Sequence, residues 1–302
     1  MNAKKVKYKG WPNCWRFSNR LVDLVVTADV GPRVIRFGFV GDHNEFFEAN
    51  EQLGKKGGNE WHLYGGHRLW HAPEAEPRTY APDNAPVKVE RHARFIRFIQ
   101  PTEPTTGIQK EIDVRLLRHK AAVEVTHRLR NNNAWAVPFA PWALTVLAPG
   151  GTAIIPLPPR GSHPRDLPPV NTLTLWAYTD LSDHRWTWGF KYILLRQNPK
   201  AKLPQKIGAV VSDGWAAYAR DGHLFVKRFA FAPGAQYPDF GANVETFTND
   251  QMLELETLGP HVCLPPSATV EHVEYWSLFR GVPTPTNDTD VDKHVLPKVR
   301  QR

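Results

Sequence analysis

The chain has 302 residues, 41% of them hydrophobic and 23% charged, the balance of a soluble globular protein with a real core. Twenty-seven prolines exclude an all-helical fold, because proline removes a donor from a helix interior; two cysteines exclude a disulfide framework, and no apolar run reaches the length of a membrane span. The net charge of +8 sits mostly in the first 20 residues, where Lys4, Lys5, Lys7, Lys9, Arg16 and Arg20 give +6 with no acid, so a solvated basic arm over 1–15 is expected rather than a nucleic-acid groove.

The lysines of the N-terminus have no apolar run behind them, so no secretory signal is expected, and Cys14 and Cys263 are expected as free thiols in the cytoplasm. Beyond residue 15 the pattern is mostly strands. "RLVDLVVTADVGPRVIRFGFVG" (20–41) reads as two β-branched strands around an Asp-Val-Gly-Pro turn. "VKVERHARFIRFIQ" (87–100), "IQKEIDVRLL" (108–117) and "AAVEVTHRLRN" (121–131) alternate as half-buried antiparallel strands do. "PFAPWALTVLAPGGTAIIPLP" (138–158) is continuously apolar, as a strand buried on both faces would be, and a proline-rich loop follows at 156–171. Strand patterns continue over 185–198, 207–234, 252–259 and 269–281, with "DGHLF" (221–225) as a hairpin turn and its return strand. The result is an all-β fold of two large antiparallel sheets, one domain over 16–282, with a polar tail over 283–302.

The stretch "WHLYGGHRLWHAPE" (61–74) is the densest in chemistry: three histidines, two tryptophans, an arginine and a glycine pair. As a metal site it would draw on His62, His67 and His71, with Glu60 or Glu74, but that spacing matches no established zinc pattern, and no metal or cofactor is expected. As a sugar pocket it offers Trp61 and Trp70, with Trp142 elsewhere, as flat faces for sugar C–H bonds. It also offers His and Arg as directional partners for hydroxyls, and glycines that let backbone approach a ligand. Any single aromatic is more simply read as core; the cluster as a whole reads as a pocket. Glu254 and Glu256 share one face of the strand "MLELET" and are candidates for a general base if that face lines a hollow, or an ordinary polar edge if it meets solvent. Asp180 and Asp183 form a second polar group, which near a turn is also ordinary turn chemistry.

The layout resembles the galactose mutarotase-like (aldose 1-epimerase-like) superfamily over roughly residues 15–281. "VVTADVGPRVIRFGFVGDHNEFFE" (25–48) is similar to its opening strands, through Gly31, Arg33, Val34 and Asn44. "YGGHRLWHAPE" (64–74) falls where the family has a glycine pair at the cleft rim, and "NNNAWAVPFAPWALTVLAPGG" (131–151) resembles its central cleft-facing strand. "LELETLGP" (253–260) resembles the strand that carries the family's catalytic glutamate. The likeness is greatest to a bacterial branch of that group. It implies a large antiparallel β-supersandwich with a carbohydrate cleft, a small-molecule sugar or oligosaccharide as partner, and neither nucleic acid nor membrane.

By that resemblance Glu256, which Thr257 follows, matches the base that takes the anomeric proton. The family's histidine acid has no match, because Pro141 and Trp142 stand where it is expected; the family's early Asn-Arg motif is also missing. His67 or His71 is expected to replace that acid, with Arg68, Trp70, Trp142, Glu254 and Asp180 binding the sugar. The activity implied is aldose epimerisation by proton transfer. The rivals are carbohydrate binding without catalysis and a polysaccharide lyase-like enzyme.

Overall fold

A computed structural model describes residues 3–301. Among these, the strands build two antiparallel sheets of eleven and ten strands. The first runs, in spatial order, Ala3–Tyr8, Trp11–Ser18, Val22–Thr27, Arg33–Phe39, Gly66–Ala72, Val137–Leu147, Leu253–Leu258, Val244–Thr248, Gln205–Ala209 and Leu173–Leu175, with Val262–Leu264 also paired to Val137–Leu147. The second runs Trp186–Trp188, Tyr192–Arg196, Thr152–Pro156, Trp215–Arg220, His223–Phe229, Thr269–Arg280, Ala122–Asn131, Ile108–Leu116, Ile96–Ile99 and Lys88–Arg91.

The sheets pack face to face because both inner faces carry the apolar half of their alternation. Phe37 and Phe46 from the first side meet Phe225 and Trp276 from the second with every ring pair between 5.5 and 6.1 Å. Each such buried ring contributes roughly 1.5–3 kcal/mol by leaving water. The expected hairpin is present: Asp221 and Gly222 both have positive φ (50° and 78°) between Trp215–Arg220 and His223–Phe229, the geometry that matches strand twist.

Three segments differ from the sequence reading. The basic arm is not free: Ala3–Tyr8 pairs with Trp11–Ser18 as the edge of the first sheet. Its lysines then blunt an edge that would otherwise pair with another chain. The apolar segment 138–158 is two strands, Val137–Leu147 and Thr152–Pro156, which belong to different sheets because Pro149-Gly150-Gly151 breaks the run. The end of the chain is not a loose polar tail. Helical turns over Asp288–Asp290, Val291–Val295 and Leu296–Val299 place Val291, Val295 and Val299 on one side. That side covers Ile154, Leu194, Trp215, Leu224 and Val226 on the outer face of the second sheet.

Candidate functional site

The outer face of the first sheet carries the site. Strand register decides its membership, since residues paired across an antiparallel ladder project to the same side. Arg68 pairs with Leu144, Leu144 with Glu256 and Glu256 with Glu245. In the next row Val146 pairs with Glu254, Glu254 with Phe247 and Phe247 with Lys206. Trp70 pairs with Trp142. Loops add the walls: Trp61 and Leu63 from before Gly66–Ala72, Glu74 and Tyr80 from after it, and Trp176 and Tyr178 from after Leu173–Leu175. The result is a cleft of about 450 Å³ whose lining includes Arg68, Trp70, Trp142, Lys206 and Glu254.

The aromatic groups of the cleft hold its cations. Trp61, Trp70 and Tyr80 pack within 6.0 Å of one another, and Trp70 meets Trp142 edge-on at 5.3 Å. The Arg68 guanidinium lies 4.1 Å from the Trp70 ring and 5.0 Å from that of Trp61. Its Nη2 is 3.8 Å from Glu254 Oε1, while Nε and Nη1 are buried without a hydrogen-bond partner. Lys206 Nζ sits 4.9 Å from the Trp142 ring and 4.6 Å from that of Trp176. It also lies 2.8 Å from Glu245 Oε2 and 3.4 Å from Glu256 Oε2. Stacking of this kind pre-organises a cation without spending its hydrogen bonds.

Three carboxyl groups here have different surroundings. Glu256 is fully buried; its Oε2 accepts from the Trp142 indole N–H (2.7 Å), and its Oε1 has no partner. Burial, reinforced by the Glu256 charge, pushes the Glu254 carboxyl up to about 7, against the pull of Arg68 and Lys206. Glu245 is also fully buried, and its partner there is the Lys206 ammonium. Burial alone would lower Lys206, but the Glu245 and Glu256 carboxylates outweigh it and raise the ammonium well above its usual value. A carboxyl with a value near 7 is present in both forms at neutral pH, as proton transfer requires.

Of the residues singled out from sequence, Arg68, Trp70, Trp142 and Glu254 line this one cleft, and Glu256 lies beneath it. His67 and His71 alternate with Arg68 and Trp70 along Gly66–Ala72 and therefore point between the sheets. His67 contacts Thr145 and His127; His71 meets Arg78 and Glu103. Asp180 is exposed and accepts from Ser182 N and Oγ in a turn, and it is not part of the cleft lining. The glycine pair serves the backbone rather than a ligand. At Gly66 (φ 71°) a Cβ would stand 2.4 Å from Val34 O, and at Gly65 (φ 98°) 2.1 Å from Phe47 O.

The sequence reading missed Lys206, Glu245, Trp176, Tyr178 and Tyr80. A charge inside the otherwise apolar "QKIGAVV" run is the one signal that pointed to Lys206. Cys14 is buried and Cys263 exposed, and both are free thiols. Among the described residues, no helix is long and apolar enough to cross a membrane.

No protein-family model matches the chain, and no curated protein matches it in sequence. Solved structures do match. A galactose mutarotase-like protein from Clostridium acetobutylicum aligns over 93% of this chain and 99% of its own, with a TM-score of 0.55 at 9% identity. One from Lactobacillus casei aligns over 88% and 100%, with a TM-score of 0.54 at 10% identity. A galactose mutarotase related enzyme from Lactobacillus acidophilus aligns over 90% and 99%, with a TM-score of 0.53 at 11% identity. At such identities the likeness is one of fold, and it spans nearly the whole of each partner. The two-sheet architecture of this chain is the galactose mutarotase-like β-sandwich.

Proposed function

We propose that the cleft binds a monosaccharide and that Glu254 transfers protons at its anomeric centre. One observation carries the reading. Indoles from four tryptophans surround a 450 Å³ cleft in which Glu254, pushed up to about 7, stands beside Arg68. Flat indole faces suit the C–H side of a pyranose. The Arg68 guanidinium, which lines the cleft beside Glu254, supplies a charged donor for a hydroxyl oxygen, and fixed donors and acceptors give orientation. The fold family, in which solved members are described as mutarotase-like, points the same way.

The reaction needs no redox partner. In its protonated form the Glu254 carboxyl donates its proton to the ring oxygen while its carbonyl oxygen accepts the proton of the anomeric hydroxyl. The bond between C1 and the ring oxygen breaks, leaving an open-chain aldehyde and a re-protonated carboxyl. Rotation about the C1–C2 bond and reversal of the step close the ring on either face. This route uses one carboxyl for both transfers, so neither His67 nor His71 is required. Glu256, held by Trp142 and Lys206, is a positioning residue that keeps negative charge behind Glu254. General acid–base catalysis of this kind supplies roughly 10²–10⁴-fold.

The inward direction of both histidines favours a second reading, sugar binding without turnover. Calorimetric titration with a panel of aldoses, beside polarimetry on the same sugars, separates the two. Heat of binding together with faster mutarotation, lost in Glu254→Gln, supports catalysis. Heat without faster mutarotation leaves the binding role, and no heat with any aldose removes both.

A further inference from the structure

The turn after Arg33–Phe39 carries Asp42-His43-Asn44-Glu45, and none of these residues lines the cleft. The turn packs against His223, the first residue of its strand in the second sheet, and Arg280, the last of its own. The His43 and His223 rings stack at 4.5 Å with 21° between their planes. A carboxyl group stands at each edge of the stack. On one edge the half-exposed Asp42 lies 3.1 Å from His43 Nδ1 and 3.6 Å from His223 Nε2. On the other, the buried Glu45 Oε1 lies 2.7 Å from His223 Nδ1 and 3.2 Å from His43 Nε2.

Hydrogen-bond roles give this arrangement a direction. Arg280 Nη1, which can only donate, stands 3.3 Å from His223 Nε2 and 2.7 Å from Asp42 Oδ2. The Nε2 atom therefore presents its lone pair, and the Nδ1 proton goes to Glu45. A metal-ligating histidine is fixed in the same way, with one nitrogen tied to a carboxylate and the other facing the ion. Asp42, His43 and His223 each offer one ligand atom, and these three atoms lie within 4.8 Å of one another; Asp42 oxygens stand 3.1 Å from His43 Nδ1 and 3.6 Å from His223 Nε2. Ligand atoms around a zinc-like ion, with bonds of about 2.0–2.2 Å, stand roughly 3.3–3.6 Å apart in a tetrahedron; the spacing is close to that, and the two rings must swing out of their near-parallel stack to aim both lone pairs at one ion.

We propose that Asp42, His43 and His223 form a binding site for a divalent cation of the zinc class, with Glu45 orienting His223 and with Arg280 as the internal cation that the metal displaces. Two imidazoles with one carboxylate select zinc-class ions over magnesium or calcium, which prefer all-oxygen sets. Arg280 is half exposed and stacks on Phe39 at 4.0 Å, so its head group can leave the site while its stem stays packed. The half-exposed edge at Asp42 and His43 leaves room for water as a fourth ligand.

The test is calorimetric titration of the full chain, freed of metal by chelator dialysis and without an affinity tag, with zinc chloride. One equivalent is expected, with affinity about tenfold tighter in Arg280→Ala and at least about tenfold weaker in both His43→Ala and Asp42→Asn. Both weakening substitutions fall at partly exposed positions, and circular dichroism of each variant confirms the fold. Cobalt in place of zinc should give the intense visible absorption of a four-coordinate ion, lost in His43→Ala. Unchanged zinc affinity in His43→Ala and Asp42→Asn overturns the site, as does failure of both the wild type and Arg280→Ala to bind zinc.

Discussion

His67 Nε2 lies 2.6 Å from His127 Nε2, and that contact crosses the space between the two sheets. The protons along it follow from its far end. His127 Nδ1 donates to the His272 carbonyl (2.8 Å), so His127 Nε2 accepts from His67 Nε2–H; His67 Nδ1 then accepts from the Thr145 hydroxyl (2.8 Å). Beside it, Glu274 accepts from Lys227 (2.7 Å), Thr257 (2.5 Å) and the Trp276 indole N–H (2.7 Å). Every ring nitrogen of His67 and His127 is used in neutral form, which leaves no free lone pair for an ion.

Burial holds His67, His127 and His272 below the usual histidine range, His272 at about 3, with Glu274 only partly offsetting it. Their folded values lie below the unfolded one of about 6.5. The folded state therefore binds fewer protons, and its stability is complete above about pH 6.5 and falls as the pH drops below it. Measured in Glu254→Gln, which removes a carboxyl that titrates over the same interval with the opposite sign, denaturant midpoints should be level from pH 8 to about 7 and decline towards pH 5. A flat profile across that range would refute the neutral network. At pH 7, Thr145→Val, which leaves His67 Nδ1 unpaired, should cost about 1–3 kcal/mol.

Glu254 has the opposite sign. Its folded value of about 7 exceeds the unfolded carboxylate value, so the wild type loses stability as the pH rises through that interval. Glu254→Gln removes the titration. The variant should gain melting temperature relative to wild type at pH 8 and show little difference at pH 5. Where mutarotation is detected, the wild-type rate should fall with rising pH around 7, because the protonated carboxyl is the active form. A rate that climbs through that range would point to a carboxylate base instead.

Arg68 is sandwiched against Trp61 and Trp70 with two donors unpaired. Arg68→Met keeps an unbranched stem on the indoles and deletes the donors. Sugar affinity should drop about tenfold or more, the worth of a charged hydrogen bond, with melting temperature nearly unchanged. Equal affinity in the two proteins would remove Arg68 from the binding site.

The C-terminal turns bury Val295 against the outer face of the second sheet. Val295→Asp places a charge in that contact and should cost about 3 kcal/mol or more, lowering the denaturant midpoint. Val295→Leu, which keeps the contact apolar, should cost less than about 1.5 kcal/mol. Equal midpoints for Val295→Asp and wild type would show that the turns do not dock in solution.

Much of the architecture was legible in the sequence, because alternation at period two is a local property of a strand. Residues 252–259 showed Glu254 and Glu256 sharing one side, and Asp221-Gly222 marked its hairpin, each from a few neighbouring residues. The same alternation in "GHRLWHA" separates His67 and His71 from Arg68 and Trp70, yet all seven residues of that strand are buried. Burial on both faces erases the polarity contrast that tells inside from outside. Only tertiary structure decided which side faced the second sheet, where His127 and Glu274 wait, and which faced the cleft. Lys206 and Trp176 reach the cleft from strands and loops more than a hundred residues away from Arg68, and the C-terminal valines find their apolar partners only once the second sheet exists. Contacts of that kind depend on register and sheet order, which no short stretch of chain encodes.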